Sequence, residues 1–275
     1  MIFGEHAKCQ AEAEYPELWQ GLVGAWSPCL SPPGGTILRD LSGRGNHGTL
    51  TNMDPATDWV LSGGRSALDF DGSNDYVSLP INGMSVASGR VFTVSAWVST
   101  SSSANDICFL CIGTLTGDRI TLFANTGSTG APNGSVEADF RSGASRVEAF
   151  TAGTFGFNNG RLRNVIGTRE SDGMCRCYVD GMLVATSAGA STGAITPTDA
   201  RIGHFSGYVA GFLSGRVFDV LYSHSLLSPR LLYRLGPGGW ATPRRRRWNY
   251  ATAQTAIPYW VFARNNARII GGGVS

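Results

Sequence analysis

Lysine is almost missing from this sequence. Of its 22 basic residues, Lys8 is the one lysine and arginine supplies the rest, a bias that a GC-rich genome explains. Long apolar runs are missing too. No stretch approaches the roughly 18 residues that a membrane-spanning helix requires, so no membrane partner is expected. The opening segment, MIFGEHAKCQAEAEYPELW, lacks a basic stretch followed by an apolar core. It therefore does not read as a secretory signal, and synthesis in a cytoplasm is expected. Acidic residues stop at Asp219. Up to that point there are 20 acids and 14 bases; beyond it there are 8 arginines and no acid. A net charge of +2 thus hides an acidic body and a basic tail, an asymmetry typical of an interaction arm. Catalytic signatures are sparse. His6, His47, His204 and His224 are scattered, and there is no Walker-type loop, which needs a Gly-Lys pair.

What remains is the texture of an all-β protein. The 37 glycines, with Ser, Asn and Asp, separate short apolar runs. In VFTVSAWVST, Phe92, Val94, Ala96 and Val98 alternate with Thr93, Ser95, Trp97 and Ser99, which assigns one set to a buried face. Tyr178-Val179-Asp180-Gly181 carries the Asp-Gly signal of a tight hairpin. Strands at this spacing, without intervening helices, predict a two-sheet antiparallel sandwich. A short helix is expected within residues 5–20, interrupted or restarted at Pro16. A second is expected in SHSLLSPRLLYRL, capped by Ser228 with Pro229 at its first position and stopped by Gly236. This divides the chain into a lead-in (1–20), a sandwich (21–236) and an arm (237–275).

The six cysteines include Cys108 and Cys111, with Cys175 and Cys177 further on. Four thiolates can hold zinc. Residues three apart on a strand point to opposite faces, however, so Cys108 and Cys111 are expected to diverge unless the strand bends. The thiols are read as small buried hydrophobes, with neither zinc nor a disulfide.

Several segments in order, GLVGAWSP, LRDLSGRGNHGTL, ALDFDGSNDYVSLP, FTVSAWV, CYVDGMLV and RIGHFSGYVAGFLSGRVFDVLYSHSLLSPRLLYRL, resemble the laminin-G-like, concanavalin A-like jelly-roll domains of bacterial and phage proteins. The resemblance spans Leu18 to Leu235 and implies a jelly roll, a fold that hosts lectins, hydrolases and virion parts alike. Some relatives bind Ca²⁺ through loop oxygens, which makes Asp71, Asn74 and Asp75 the metal candidates; turn chemistry accounts for the same residues without a cofactor. The related glucanases carry an acidic cluster on one strand face. Glu137 and Asp139 share such a face, but the third acid's place is taken by Arg141, and no enzyme activity is expected. Sugar-binding relatives use aromatics, and Trp97, Tyr208, Phe212 and the loop from Asn125 to Asn133 are the residues offered for glycans.

The arm is too aromatic for a disordered nucleic-acid tail. Arg244, Arg245, Arg246, Arg247, Trp248, Tyr259, Trp260 and Phe262 are expected to contact protein carboxylates and grooves, with nucleic acid not expected as a partner. The sequence is therefore read as a non-enzymatic structural protein of a large assembly, a phage virion component such as a decoration, spike or fibre protein. Its arm would anchor it to other virion proteins or to copies of itself. The alternative is an adhesion module that binds host or environmental glycans.

Overall fold

The computed structural model describes residues 15–125 and 133–241. Among them, two antiparallel sheets face one another. The first runs β14 (Met182–Ala190), β13 (Met174–Val179), β12 (Arg163–Arg169), β7 (Phe92–Ser99), β16 (Ser214–Ser223), β5 (Arg65–Asp71) and β4 (Trp59–Ser62). Strand β1 (Leu22–Trp26) also pairs with β16, along its second half. The second sheet runs β11 (Ser145–Phe150), β10 (Val136–Ser142), β9 (Arg119–Ala124), β8 (Ile107–Gly113), β15 (Ala200–Ile202), β6 (Tyr76–Ser78), β3 (Gly48–Thr51) and β2 (Ile37–Leu38). This is the expected sandwich.

The alternation read from the sequence decides what lies between the sheets. Phe92, Val94, Ala96 and Val98 of β7 all enter the core. They meet Ile120 and Leu122 of β9 and Ala138 and Phe140 of β10 from the facing sheet. Phe92 and Phe140 meet edge to face at 4.6 Å. Each of the larger ones (Phe, Val, Ile or Leu), withdrawn fully from water, stabilises the fold by about 1.5–3 kcal/mol. The hairpin at Asp180-Gly181 has φ of 52° and 77° at these residues, the left-handed pair that an Asp-Gly turn supplies between β13 and β14.

The LRDLSGRGNHGTL segment ties β1 to this core. Buried Asp40 accepts from the backbone N–H groups of Ala25, Ser42 and Asn46 at 2.9–3.0 Å. His47 Nδ1 accepts from the Asp40 N–H, a local structural bond. The outer face of the first sheet is covered by α1 (Pro16–Trp19), α2 (Pro229–Leu235) and the turn at Gly239–Ala241. Ser228 Oγ caps α2 by accepting from Leu231 N, with Pro229 next to it as expected. The N-terminal helix expected within 5–20 is described over Pro16–Trp19; the residues before Tyr15 lie outside the described part. Packing continues past Gly236. Trp240 is 2% exposed, lies 5.6 Å from the Trp19 ring, and donates to Asp219 Oδ2 at 2.7 Å.

One expectation is corrected. The register of β8 against β9 shifts between Cys108 and Leu110. This bulge puts one extra residue into the strand, so Cys108 and Cys111 emerge on the same outer face rather than on opposite faces. Both pack against Phe123 and Phe205 as free thiols.

Candidate functional site

Strands β9, β10 and β11 alternate strictly. Ile120, Leu122, Ala124, Val136, Ala138, Phe140, Val147 and Ala149 face the core, which leaves the intervening residues on the outer face of the second sheet. The ladder registers arrange those residues in rows. Arg119 pairs with Arg141, and Arg141 with Arg146. The next row is Thr121, Asp139 and Glu148; the third is Phe123, Glu137 and Phe150. Three arginines thus lie side by side across three strands.

Two of the three are neutralised at once. Arg119 reaches Asp139 Oδ2 through Nη2 at 2.7 Å and Nε at 3.1 Å. Arg146 meets Asp139 at 2.9 Å, Glu137 at 3.2 Å and Glu148 at 2.9 Å. Burial disfavours the Arg146 cation, but Asp139, Glu148 and Glu137 outweigh it and hold its pKa above the ordinary value. Glu137 and Asp139 are both 0% exposed. The pair that the sequence offered for glycoside hydrolysis is therefore buried against guanidinium groups.

Above these ion pairs a cleft of about 390 Å³ opens, lined by Arg119, Arg141, Arg146, Phe205, Tyr208 and Asp106 among others. The Arg119 guanidinium lies over the Phe205 ring at 5.5 Å. Phe205 packs on Phe123 at 5.7 Å and on Tyr208 at 6.2 Å. The charge of Asp106, then burial, raise the Tyr208 phenol pKa, and its hydroxyl reaches Asp106 Oδ2 at 3.4 Å.

The loop carrying these rings is fixed from below. Gly203 enters it at φ +86°, where a Cβ would run into the Phe70 ring. His204 follows, stacked on Phe212 at 3.9 Å. Its Nδ1 lies 3.0 Å from Arg201 Nη1, which can only donate, so Nε2 carries the proton that bonds Tyr208 O at 3.0 Å. Burial, with Arg201 adding to it, lowers the His204 pKa and favours this neutral form.

Of the aromatics offered for glycans, Tyr208 lines the cleft. Trp97 lies on the outer face of the other sheet, 7% exposed and stacked on Tyr233 at 5.7 Å. Phe212 stacks behind the loop on His204. The three do not converge. Asn125 is buried and structural, donating to Ser102 O and Ala104 O at 2.9 and 3.0 Å; residues 126–132 lie outside the described part.

The metal candidates form a turn at the end of β5. Asp71 Oδ1 accepts from Ser73 N at 2.7 Å and Asn74 N at 3.3 Å, and Asp75 Oδ2 accepts from Asp71 N at 3.0 Å. Burial pushes the Asp71 carboxyl up, but these backbone donors outweigh it and lower its pKa. Burial, with the charges of Asp71 and Asp58, raises Asp75. Asn74 O accepts from Asn52 Nδ2 at 3.0 Å. Among the described residues, no three His, Cys, Asp or Glu gather as metal ligands. Asp71 also borders a second, polar cleft of about 450 Å³, where Asp69 pairs with Arg216 at 3.4 Å. The expected partner-binding residues Arg244 to Trp248, Tyr259, Trp260 and Phe262 lie outside the described residues.

Solved structures with the same architecture share little sequence with this chain. Domain 4 of an extracellular GH43 arabinanase from Geobacillus stearothermophilus is 15% identical, with 76% of this chain and 96% of that chain covered and a TM-score of 0.55. The binding domain of Paraclostridial Mosquitocidal Protein 1 is 15% identical, with 80% and 53% covered and a TM-score of 0.58. The receptor binding domain of botulinum neurotoxin D is 12% identical, with 79% and 53% covered and a TM-score of 0.56, so this chain spans about half of each toxin chain. A search of curated proteins finds no match. The family model of the concanavalin A-like lectin/glucanases superfamily, the laminin G type, matches residues 71–230. That is more than half of the sequence, and the chain belongs to this superfamily.

Proposed function

We propose that this protein is a non-enzymatic carbohydrate-binding module whose ligand lies in the arginine-lined cleft of the second sheet. One observation carries the reading. The acidic pair on the sheet face, Glu137 and Asp139, is withdrawn from solvent under Arg119 and Arg146, while an open cleft with aromatic walls remains above it. Hydrolysis needs two accessible carboxyl groups flanking the glycosidic bond. Binding needs a concave site with apolar walls and a few placed polar groups, and the cleft has both. The arabinanase domain was solved with arabinotriose, and the two toxin segments are binding domains, which supports a binding role on this fold. A glycan array with a reducing-sugar assay on each hit tests it. Binding without hydrolysis is expected; sugar release above background overturns the reading.

A second reading rests on the charge split along the chain. An acid-free segment with its arginines and aromatics follows an acidic body, which supports an anchoring arm on a protein partner within a large assembly such as a phage virion. Because Trp240 belongs to the packed body, the informative truncation ends at Ala241. Loss of incorporation into the assembly, with an intact fold, is expected. Normal occupancy of the truncated chain defeats the anchor.

A further inference from the structure

Side chains directly opposite on an antiparallel ladder have Cβ atoms roughly 4.5–5.5 Å apart, and like charges there repel. Arg141 has such a neighbour on each side, Arg119 on β9 and Arg146 on β11. Those two turn toward Asp139, Glu137 and Glu148. Arg141 has no carboxylate within ion-pair distance among the described residues. Its Nε donates to Gly143 O at 3.0 Å and its Nη1 to Leu115 O at 3.4 Å, both uncharged acceptors. The nearby loop carboxylate, Asp118, accepts from Gly143 N at 2.7 Å and Thr196 N at 2.9 Å. The middle arginine is thus the one of the three without a carboxylate partner, at the rim of a cleft and with guanidinium donors to spare.

We infer that the cleft takes a saccharide bearing an anionic group, a carboxylate or a sulfate ester, which seats on the Arg141 guanidinium. The inference rests on the carbohydrate reading of this cleft and names the ligand's chemistry. A planar anion matches the guanidinium fork, and partial desolvation strengthens that pairing. The half-buried Tyr208 ring, with the edge of the largely buried Phe205 behind it, gives the sugar's apolar face a wall. The surroundings favour a single anionic substituent over a nucleic-acid strand. Arg119 and Arg146 are already engaged by carboxylates, which leaves one guanidinium for one anion rather than a row for successive phosphates.

Isothermal titration of the full chain at low salt tests this with three matched oligosaccharide sets and a single-stranded oligonucleotide. One set carries uronates, one is the same set reduced at the carboxyl to neutral sugars, and one carries sulfates. Binding of at least one charged set is expected, with the neutral set weaker by about 10- to 100-fold, the range that charge-assisted hydrogen bonds give. The preferred charged set identifies the source of the anion. Arg141→Gln is expected to lose that preference and Arg141→Lys to restore part of it. A thermal scan checks that Arg141→Gln folds; if it does not, the charged-against-neutral comparison on the parent chain decides alone. Equal binding of charged and neutral sets overturns the inference and leaves the carbohydrate reading standing. Binding of no saccharide overturns both, and preference for the oligonucleotide overturns the inference.

Discussion

Arg119 and Arg141 face each other directly across the β9–β10 ladder, yet Arg119 alone of the two reaches Asp139, at 2.7 Å. The asymmetry divides the outer face of the second sheet into a structural part and an open part. Asp139 lies at the centre of the structural part, bridging Arg119 and Arg146 while fully buried.

Removing that carboxylate leaves two guanidiniums next to a third. Asp139→Asn is expected to cost about 3–5 kcal/mol, the range for breaking a buried ion pair from one side. Urea unfolding measures it. Adding Arg119→Met is expected to recover part of the loss, because the uncompensated charge leaves with it. Additive losses in the double variant contradict the pairing.

Asp219 is expected to make stability pH-dependent. Its Oδ2 accepts from Gly238 N at 3.1 Å and Trp240 Nε1 at 2.7 Å, and burial pushes its pKa up from 3.8 to about 7. The unfolded chain ionises this group at the lower value while the folded chain keeps the proton. Its contribution to stability is therefore fully present below about pH 4 and declines toward about pH 7, by at most ~1.4 kcal/mol per pH unit. Thermal scans between these limits are expected to show Asp219→Asn with a shallower slope than the parent. Identical slopes contradict the assignment.

Arg169 is a buried cation, 1% exposed, held by carbonyls. It donates to Arg90 O at 2.8 and 3.0 Å, Gly193 O at 2.7 Å and Ala87 O at 3.3 Å, beneath the Phe92 ring at 5.0 Å. Arg169→Met fills the space but strands the Arg90 and Gly193 carbonyls, Ala87 O keeping the Arg90 N–H, at a cost on the order of 3 kcal/mol. Arg169→Lys is expected to recover little, since one ammonium replaces a fork reaching three sites. Full recovery by lysine in urea unfolding contradicts this account.

The four strand thiols are expected to be inert. Burial, aided by Cys111, raises Cys108 well above the ordinary thiol value; burial is the leading cause for Cys111 and Cys177, pushed up to about 12, and for Cys175, also raised. Iodoacetamide at pH 8 followed by mass spectrometry is expected to leave all four unmodified until the protein is unfolded. Native labelling of Cys108 or Cys111 contradicts their place under Phe123 and Phe205.

What was legible in the sequence was local. The alternation of Phe92 to Val98, the Asp180-Gly181 turn and the Ser228 cap each depend on residues a few positions apart, and each stands as expected. The bulge that brings Cys111 beside Cys108 depends on how β9 pairs with β8. Trp240 reads as the start of a tail because its partner, Asp219, lies on β16. The arginine row arises from the register of three strands, although Arg141 was already conspicuous as the base in an acid's place. Gly143, at φ 56° in the turn between Ser142 and Ser145, is the local residue that could have signalled the hairpin placing Arg141 opposite Arg146.

On the proposed reading, a saccharide occupies the cleft on the outer face of the second sheet. Hydrogen exchange of the full chain, with and without the strongest glycan from the array, tests it most directly. Slowed exchange in β9 to β11 and in residues 203–208 is the predicted result. Slowed exchange confined to the first sheet or to the turn at Asp71–Asp75 contradicts it.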